Sequence, residues 1–203
     1  KNVAHTIDVA SLGTVADMVT QACTAYAERP AFESFGKSIS YGELHRAAKA
    51  FAAWLQSRGL KKGDRVALMM PNILAYPVAL FGAMLGGYTV VNVNPLYTAR
   101  ELTHQVNDSG AVAIVVIENF AHVVQEALPN LKLGTVLIST AGDMMGFKGH
   151  IVNFVARKVK KVVKPFSIQG ALHFADVIKG HAEPARVTVT QDDIAFLQYT
   201  GGT

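Results

Sequence analysis

From Arg65 onward the chain alternates short, uninterrupted apolar runs with stretches of helical spacing, and no other feature restricts its fold as tightly. Val112-Ala113-Ile114-Val115-Val116-Ile117 contains no polar position. A strand written this way needs both faces covered, which helices above and below a sheet provide. The same pattern predicts strands over 65–70, 88–93, 111–117 and 135–139, with helices over 73–86, 99–108 and 120–128 between them. Short strands separated by helices give an α/β fold: a layered, doubly wound, largely parallel sheet flanked by helices.

Upstream, Val15, Met18, Val19, Ala22 and Tyr26 recur at helical spacing over 12–27, and Arg29-Pro30 stops them. Ala31 to Ser40 reads as two short strands about Phe35-Gly36-Lys37. Ser40 with Glu43 forms a capping box into a helix whose buried stripe is Leu44, Ala47, Phe51 and Leu55. Half of the 203 residues are apolar, enough for a sizeable core. A membrane span must be considered, because no charged residue lies between Arg65 and Arg100. Pro71, Asn72, Pro77, Gly86-Gly87 and Asn92-Val93-Asn94-Pro95 divide that stretch into a strand, a buried helix and a strand, each too short to span a bilayer.

Residues 141–184 depart from the rhythm and are expected to form an insertion, with a glycine-containing loop, a basic stretch and a helix over 171–178. The alternation resumes at Asp192-Asp193, with a strand over 194–198 that leads into Tyr199-Thr200-Gly201-Gly202-Thr203. Residues 1–11 are expected to be a tail, and 12–203 to belong to one large domain.

The formal charge of +4 is unevenly placed. Lys148, Arg157, Lys158, Lys160, Lys161 and Lys164 fall between 148 and 164 without an acid, which leaves the rest of the chain net negative. This excludes a generally basic nucleic-acid surface. Ile151, Phe154, Val155, Val159, Val162, Val163 and Phe166 recur opposite these cations, as in a basic amphipathic helix. Two readings stand. Either the apolar stripe packs on the domain and the cations are merely solvated, or Arg157, Lys158, Lys160, Lys161 and Lys164 face an anionic membrane.

A single cysteine, Cys23, excludes an internal disulfide and fits a reducing, cytoplasmic setting. Its place on the apolar side of the first helix makes it a core residue. Seven histidines include no pair at metal-ligand spacing, and residues 1–12 lack the apolar run of a signal peptide. Thr98 with Glu101 forms a second capping box, which explains its block without catalysis, although Tyr97, Arg100 and His104 nearby are candidates to line a cleft.

Glycines and threonines after a strand suit phosphate, because glycine lets backbone N–H groups approach closely and hydroxyls add donors or a metal ligand. Taken alone, the terminal pentapeptide is equally compatible with an ordinary turn, and no Gly-Lys-Ser/Thr of a Walker loop follows it. It does not stand alone. Gly63-Asp64-Arg65-Val66-Ala67-Leu68-Met69-Met70-Pro71-Asn72, Asn92 through Leu102, Asn107-Asp108-Ser109-Gly110-Ala111 and Asp193 through Thr203 form an ordered set covering the chain from about residue 12. In that set the chain resembles the acyl-adenylate-forming superfamily, and within it the bacterial long-chain-fatty-acid-CoA ligases.

The resemblance implies an enzyme that activates a long-chain fatty acid with ATP to an acyl-adenylate and transfers the acyl group to coenzyme A, with Mg2+ on the phosphates. It assigns phosphate contact to Thr200, Gly201, Gly202 and Thr203, with Thr200 the candidate for a magnesium-linked hydroxyl. Family members are more than twice this long. The rest of the loop, the adenine and ribose segments, the acyl tunnel and the C-terminal domain are therefore expected beyond Thr203. This stretch is expected to be an N-terminal fragment, inactive alone and with no catalytic residue of its own. A homodimer and peripheral contact with the inner face of the membrane are further expectations. Another acyl- or aryl-CoA ligase of the superfamily stays open, as does a noncatalytic nucleotide- or lipid-binding module.

Overall fold

A computed structural model describes residues 5–200, without the side chains of residues 9 and 10. Gly201, Gly202 and Thr203, three of the four expected phosphate contacts, lie outside the described residues.

Three helices begin on capping boxes. Thr14 and Asp17 cap α1 (Val15–Ala25), Ser40 and Glu43 cap α2 (Tyr41–Ser57), and Thr98 and Glu101 cap α4 (Ala99–Ser109). In each box the side chain three residues on accepts from the cap's backbone N–H, so two orphan donors are satisfied reciprocally. Between β1 (Pro30–Ser34) and β2 (Lys37–Ser40), Phe35 and Gly36 both have positive φ, 49° and 68°. That geometry matches the twist of an antiparallel two-residue hairpin.

The main sheet has six strands: β3 (Arg65–Met69), β4 (Thr89–Asn92), β5 (Ala111–Ile117), β6 (Thr135–Ser139), β7 (Leu172–His173) and β8 (Phe196–Gln198). All its pairings are parallel, in the order β7-β6-β5-β3-β4-β8. Successive residues divide the core in two. Val66, Leu68, Val90, Ala113, Val115 and Leu137 pack with α2 and α3 (Ala75–Leu85) on one face. Ala67, Met69, Val91, Ile114, Val116 and Ile138 pack with α4 and α5 (Ala121–Ala127) on the other. The covering helices change face between α3 and α4, where the strand order reverses about β3. The carboxyl ends of β3 and β5 therefore flank a topological switch point.

The uncharged stretch between Arg65 and Arg100 folds as expected, into β3, α3 and β4. The 11-residue α3 is apolar all round because it is held between the sheet and α2. No helix of the described residues is long and apolar enough to cross a membrane.

Residues 141–184 differ from their sequence reading in two places. The basic helix ends early: α6 (Phe147–Phe154) continues through a π-helical segment, Val155–Val159, and Lys161 adopts φ 52°. Six cations without an acid offer no stabilising i,i+4 pair, and Pro165 disfavours helical backbone at Lys164. Phe166 packs against the second core instead of extending the helical stripe. The helix expected over 171–178 begins later, as α7 (Phe174–Val177), because Leu172 and His173 pair with Leu137 and Ile138 to form β7 at the sheet edge. Phe174 is fully buried and meets Phe51 edge-on, with ring centroids 5.1 Å apart.

Candidate functional site at the carboxyl edge of the sheet

All six strands run the same way, so the segments that follow them gather along one edge, where ligands of open α/β sheets bind. β8 delivers Thr200 to this edge, exposed and with irregular backbone. Four side-chain hydrogen bonds brace the carboxyl end of the strand. The Asn92 side chain accepts from the Tyr76 hydroxyl at 3.0 Å and donates to Gln198 Oε1 at 2.9 Å. Gln105 Nε2 donates to the Asn92 carbonyl at 2.8 Å, fixing the end of β4 to α4. The Tyr199 hydroxyl donates to Asp108, and burial, reinforced by that carboxylate, pushes the phenol up to about 12.

The amino end of β8 is held as firmly. Lys62 Nζ lies 2.7 Å from Asp193 Oδ2, which also accepts from the Thr190 amide at 2.7 Å. The Lys62 side chain first, and then the Thr190 amide, keep the Asp193 carboxyl below its usual range. Thr89 Oγ1 donates to the Ile194 carbonyl at 2.8 Å, which continues the pairing below the strand.

Glu118 lies at the switch point, directly after β5, and is 3% exposed. Arg157 of the π-helical segment places Nε at 2.7 Å and Nη2 at 2.6 Å from its Oε2, while Oε1 has no hydrogen-bond partner among the described residues. Arg157, expected among the free cations, is thus paired. Beside it the loop after β6 is closed by Asp143, which accepts from Ser139 Oγ at 2.8 Å and from the Thr140 amide at 3.0 Å. An open cleft of about 590 Å³ separates this loop and α6 from α2 and α7. Its carboxylates are already engaged: Glu43 in its capping box, Asp143 in its loop, and Asp176 by Lys179 at 2.6 Å.

Of the predicted phosphate contacts, only Thr200 falls within the described residues. One hydroxyl and open backbone with no carboxylate in the set suit phosphate oxygens, and supply at most one hard ligand to a divalent cation. Tyr97 packs against the second core and Glu101 N–H completes the Thr98 box at 3.4 Å, while Arg100 and His104 are exposed on α4. Cys23 is buried, and burial raises its thiol. Among the described residues no three His, Cys, Asp or Glu side chains are grouped to hold a metal.

Residues 19–203 match the model of the AMP-binding enzyme family. This chain belongs to that family. Its AMP-binding region is 45% identical, over 94% of the chain, to a long-chain-fatty-acid–CoA ligase of Salmonella typhimurium. A ligase of the same name from Yersinia pestis is 45% identical over 97% of the chain. The chain spans about a third of these relatives' length, 35% and 36%. Among solved structures, a benzoate CoA ligase from Burkholderia xenovorans superposes on 89% of the chain, and on 31% of its own, with a TM-score of 0.69 at 25% identity. A long-chain-fatty-acid–CoA ligase from Archaeoglobus fulgidus covers 93% of the chain and 34% of its own, with a TM-score of 0.69 at 23% identity, and shares the fold. In this AMP-binding chain, Asn92, Gln105, Asp108 and Arg157 are supports that sequence reasoning missed. Asn92, Asp108 and Arg157 act on partners 106, 91 and 39 residues away and Gln105 on one 13 residues away, and no local pattern marks them.

Proposed function

We propose that this chain forms the N-terminal part of a long-chain-fatty-acid–CoA ligase that activates a fatty acid with ATP and passes the acyl group to coenzyme A. The observation that carries the reading is its likeness to the Salmonella and Yersinia ligases over nearly its whole length, well above its likeness to the benzoate ligase.

In the first half-reaction a carboxylate oxygen forms a bond to the α-phosphorus of ATP, and the bond to the β-bridging oxygen breaks to release pyrophosphate. The coenzyme A thiol then forms the thioester and displaces AMP. The chain's share is to grip phosphate. Thr200 Oγ1 and the amides of Gly201, Gly202 and Thr203 donate to phosphate oxygens, and rigid donors stabilise charge that develops as pyrophosphate departs. The Asn92, Tyr199 and Asp193 contacts hold β8, which leads into Thr200, at both ends. Thr200 is also the proposed magnesium-linked hydroxyl; magnesium, when bound, neutralises phosphate charge. The reading includes a cytoplasmic protein in peripheral contact with the inner face of the membrane, where long-chain fatty acids partition. A homodimer comes from the family resemblance alone.

Replacing the matching third of the Salmonella ligase with this chain tests the proposal. The chimera is expected to keep palmitate-dependent ATP–pyrophosphate exchange, and Thr200→Ala within it to lower that exchange roughly 10- to 100-fold. A monodisperse, cooperatively melting chimera without exchange overturns the proposal, as does one that is indifferent to Thr200→Ala.

A further inference from the structure

The sequence left two destinations for the apolar stripe of the basic segment, and the stripe divides: Phe166 packs against the second core, Val155 and Val163 are half-buried, and Ile151, Phe154, Val159 and Val162 are exposed. Phe147, Ile151 and Phe154 follow one another at i, i+4 and i+7 along α6 and are 80%, 53% and 60% exposed, with Val159 beyond them at 65%. Other residues meet the domain. Gly149 is buried, and Val152, Asn153 and Ala156 are half-buried.

Three attachments fix this rotation. The Gly149 and Gly142 backbones pass so closely that a Cβ on either would strike the carbonyl of the other. Asn153 donates to Thr140 Oγ1 and accepts from the Gly142 amide, both at 2.9 Å. One helical turn on, Arg157 holds the buried Glu118. All three lie on one side of the helix, so Phe147, Ile151 and Phe154 are presented outward. Lys148, Lys158, Lys160, Lys161 and Lys164 lie in this helical segment or just after it, all exposed, and none forms an ion pair among the described residues.

We infer that this face docks on an anionic bilayer, with Phe147, Ile151 and Phe154 in the acyl–headgroup boundary and the lysines among the headgroups. The inference rests on the proposed membrane contact and locates it. An apolar stripe flanked by cations is the arrangement that lies in a bilayer interface, and five unpaired lysines are complementary to anionic lipid. A second copy fits this face poorly, because a two-fold contact would bring the same lysines against each other. Arg157 takes no part in lipid contact; it holds the helix in place.

Co-sedimentation of the purified chain with phosphatidylcholine vesicles, with and without about one-third phosphatidylglycerol, tests this without nucleotide. Partition onto the anionic vesicles is expected to be at least roughly tenfold the stronger, and to weaken as salt is raised. Phe147→Ser with Phe154→Ser is expected to lower it roughly tenfold at unchanged far-UV circular dichroism. Changing Lys158, Lys160, Lys161 and Lys164 to Gln is expected to erase the phosphatidylglycerol preference, while Lys61→Gln with Lys132→Gln leaves it intact. Equal partition onto both vesicle types overturns the inference, and so does full binding by the double Phe variant. Self-association that needs Phe147 and Phe154 without any lipid binding assigns the face to a second copy and equally overturns it. Failure of the exchange assay leaves lipid binding standing, and failure here leaves the ligase proposal standing.

Discussion

The Asn92 carboxamide accepts a hydrogen bond from the Tyr76 hydroxyl with its oxygen and donates one to Gln198 with its nitrogen, so one side chain ties α3, β4 and β8 together. At the other end of β8, Asp193 collects Lys62 and the Thr190 amide. Because its carboxyl is held below the ordinary value of 3.8, folding favours the ionised form. The stabilisation is therefore complete above the unfolded carboxylate range and is lost as pH falls through the folded value. The thermal midpoint of the native chain should exceed that of Asp193→Asn by a constant margin above about pH 5, and the margin should shrink from about pH 4 downward. A margin independent of pH would remove Asp193 ionisation from the attachment of β8. Residues of this kind divide by distance along the chain. Ser40–Glu43 and Thr98–Glu101 are i,i+3 pairs whose chemistry is complete within four residues, and both are legible from sequence. The partners of Asn92, Tyr199 and Arg157 lie 106, 91 and 39 residues away, and only the folded chain brings them together.

Among the elements, α2 and α3 show what close packing demands of a single position. A Cβ at Gly82 would sit 2.7 Å from the Ala48 carbonyl and 2.8 Å from Phe51 Cδ1, and the first of these is backbone that cannot rotate away. Alanine gains about 1 kcal/mol of helix propensity over glycine, whereas overpacking a filled interface costs about 1–3 kcal/mol. Gly82→Ala is expected to destabilise the chain by about 1–2 kcal/mol on balance in urea denaturation. A gain in stability would mean that the two helices separate freely. The elements themselves follow their sequence patterns wherever periodicity and burial agree: Leu44, Ala47, Phe51 and Leu55 are all buried, as their spacing requires. The pattern misleads over 155–166. Apolar residues there keep a helical period, yet electrostatic repulsion, Pro165 and the reach of Arg157 to Glu118 act on the backbone, and periodicity carries none of these.

At the scale of the molecule, residues 141–184 are tied into the core they interrupt. Phe174 is buried against Phe51 of α2, and β7 extends the sheet beyond β6. The chain then returns over α2, where the Gln56 carboxamide pairs with the Ala185 backbone at 2.9 and 2.7 Å, before it reaches β8. Phe174→Ala is expected to cost about 3–5 kcal/mol and to lower a single cooperative transition in calorimetry. A new, separate transition for the 141–184 segment would show that it folds as an independent unit.

The sequence alone determined the alternation of strand and helix, the parallel doubly wound class, the starts of α2 and α4 and the ordered blocks that mark the AMP-binding family. Each of these rests on neighbours or on a period of two or 3.6 residues. Tertiary structure alone decided that Arg157 is a buried carboxylate's partner and not a free cation, that Phe147, Ile151 and Phe154 face outward, and what holds β8 at both ends. Those outcomes depend on which surfaces meet across the fold. A local pattern can show that a stripe is apolar, but what lies against the stripe is set by residues far away in the chain.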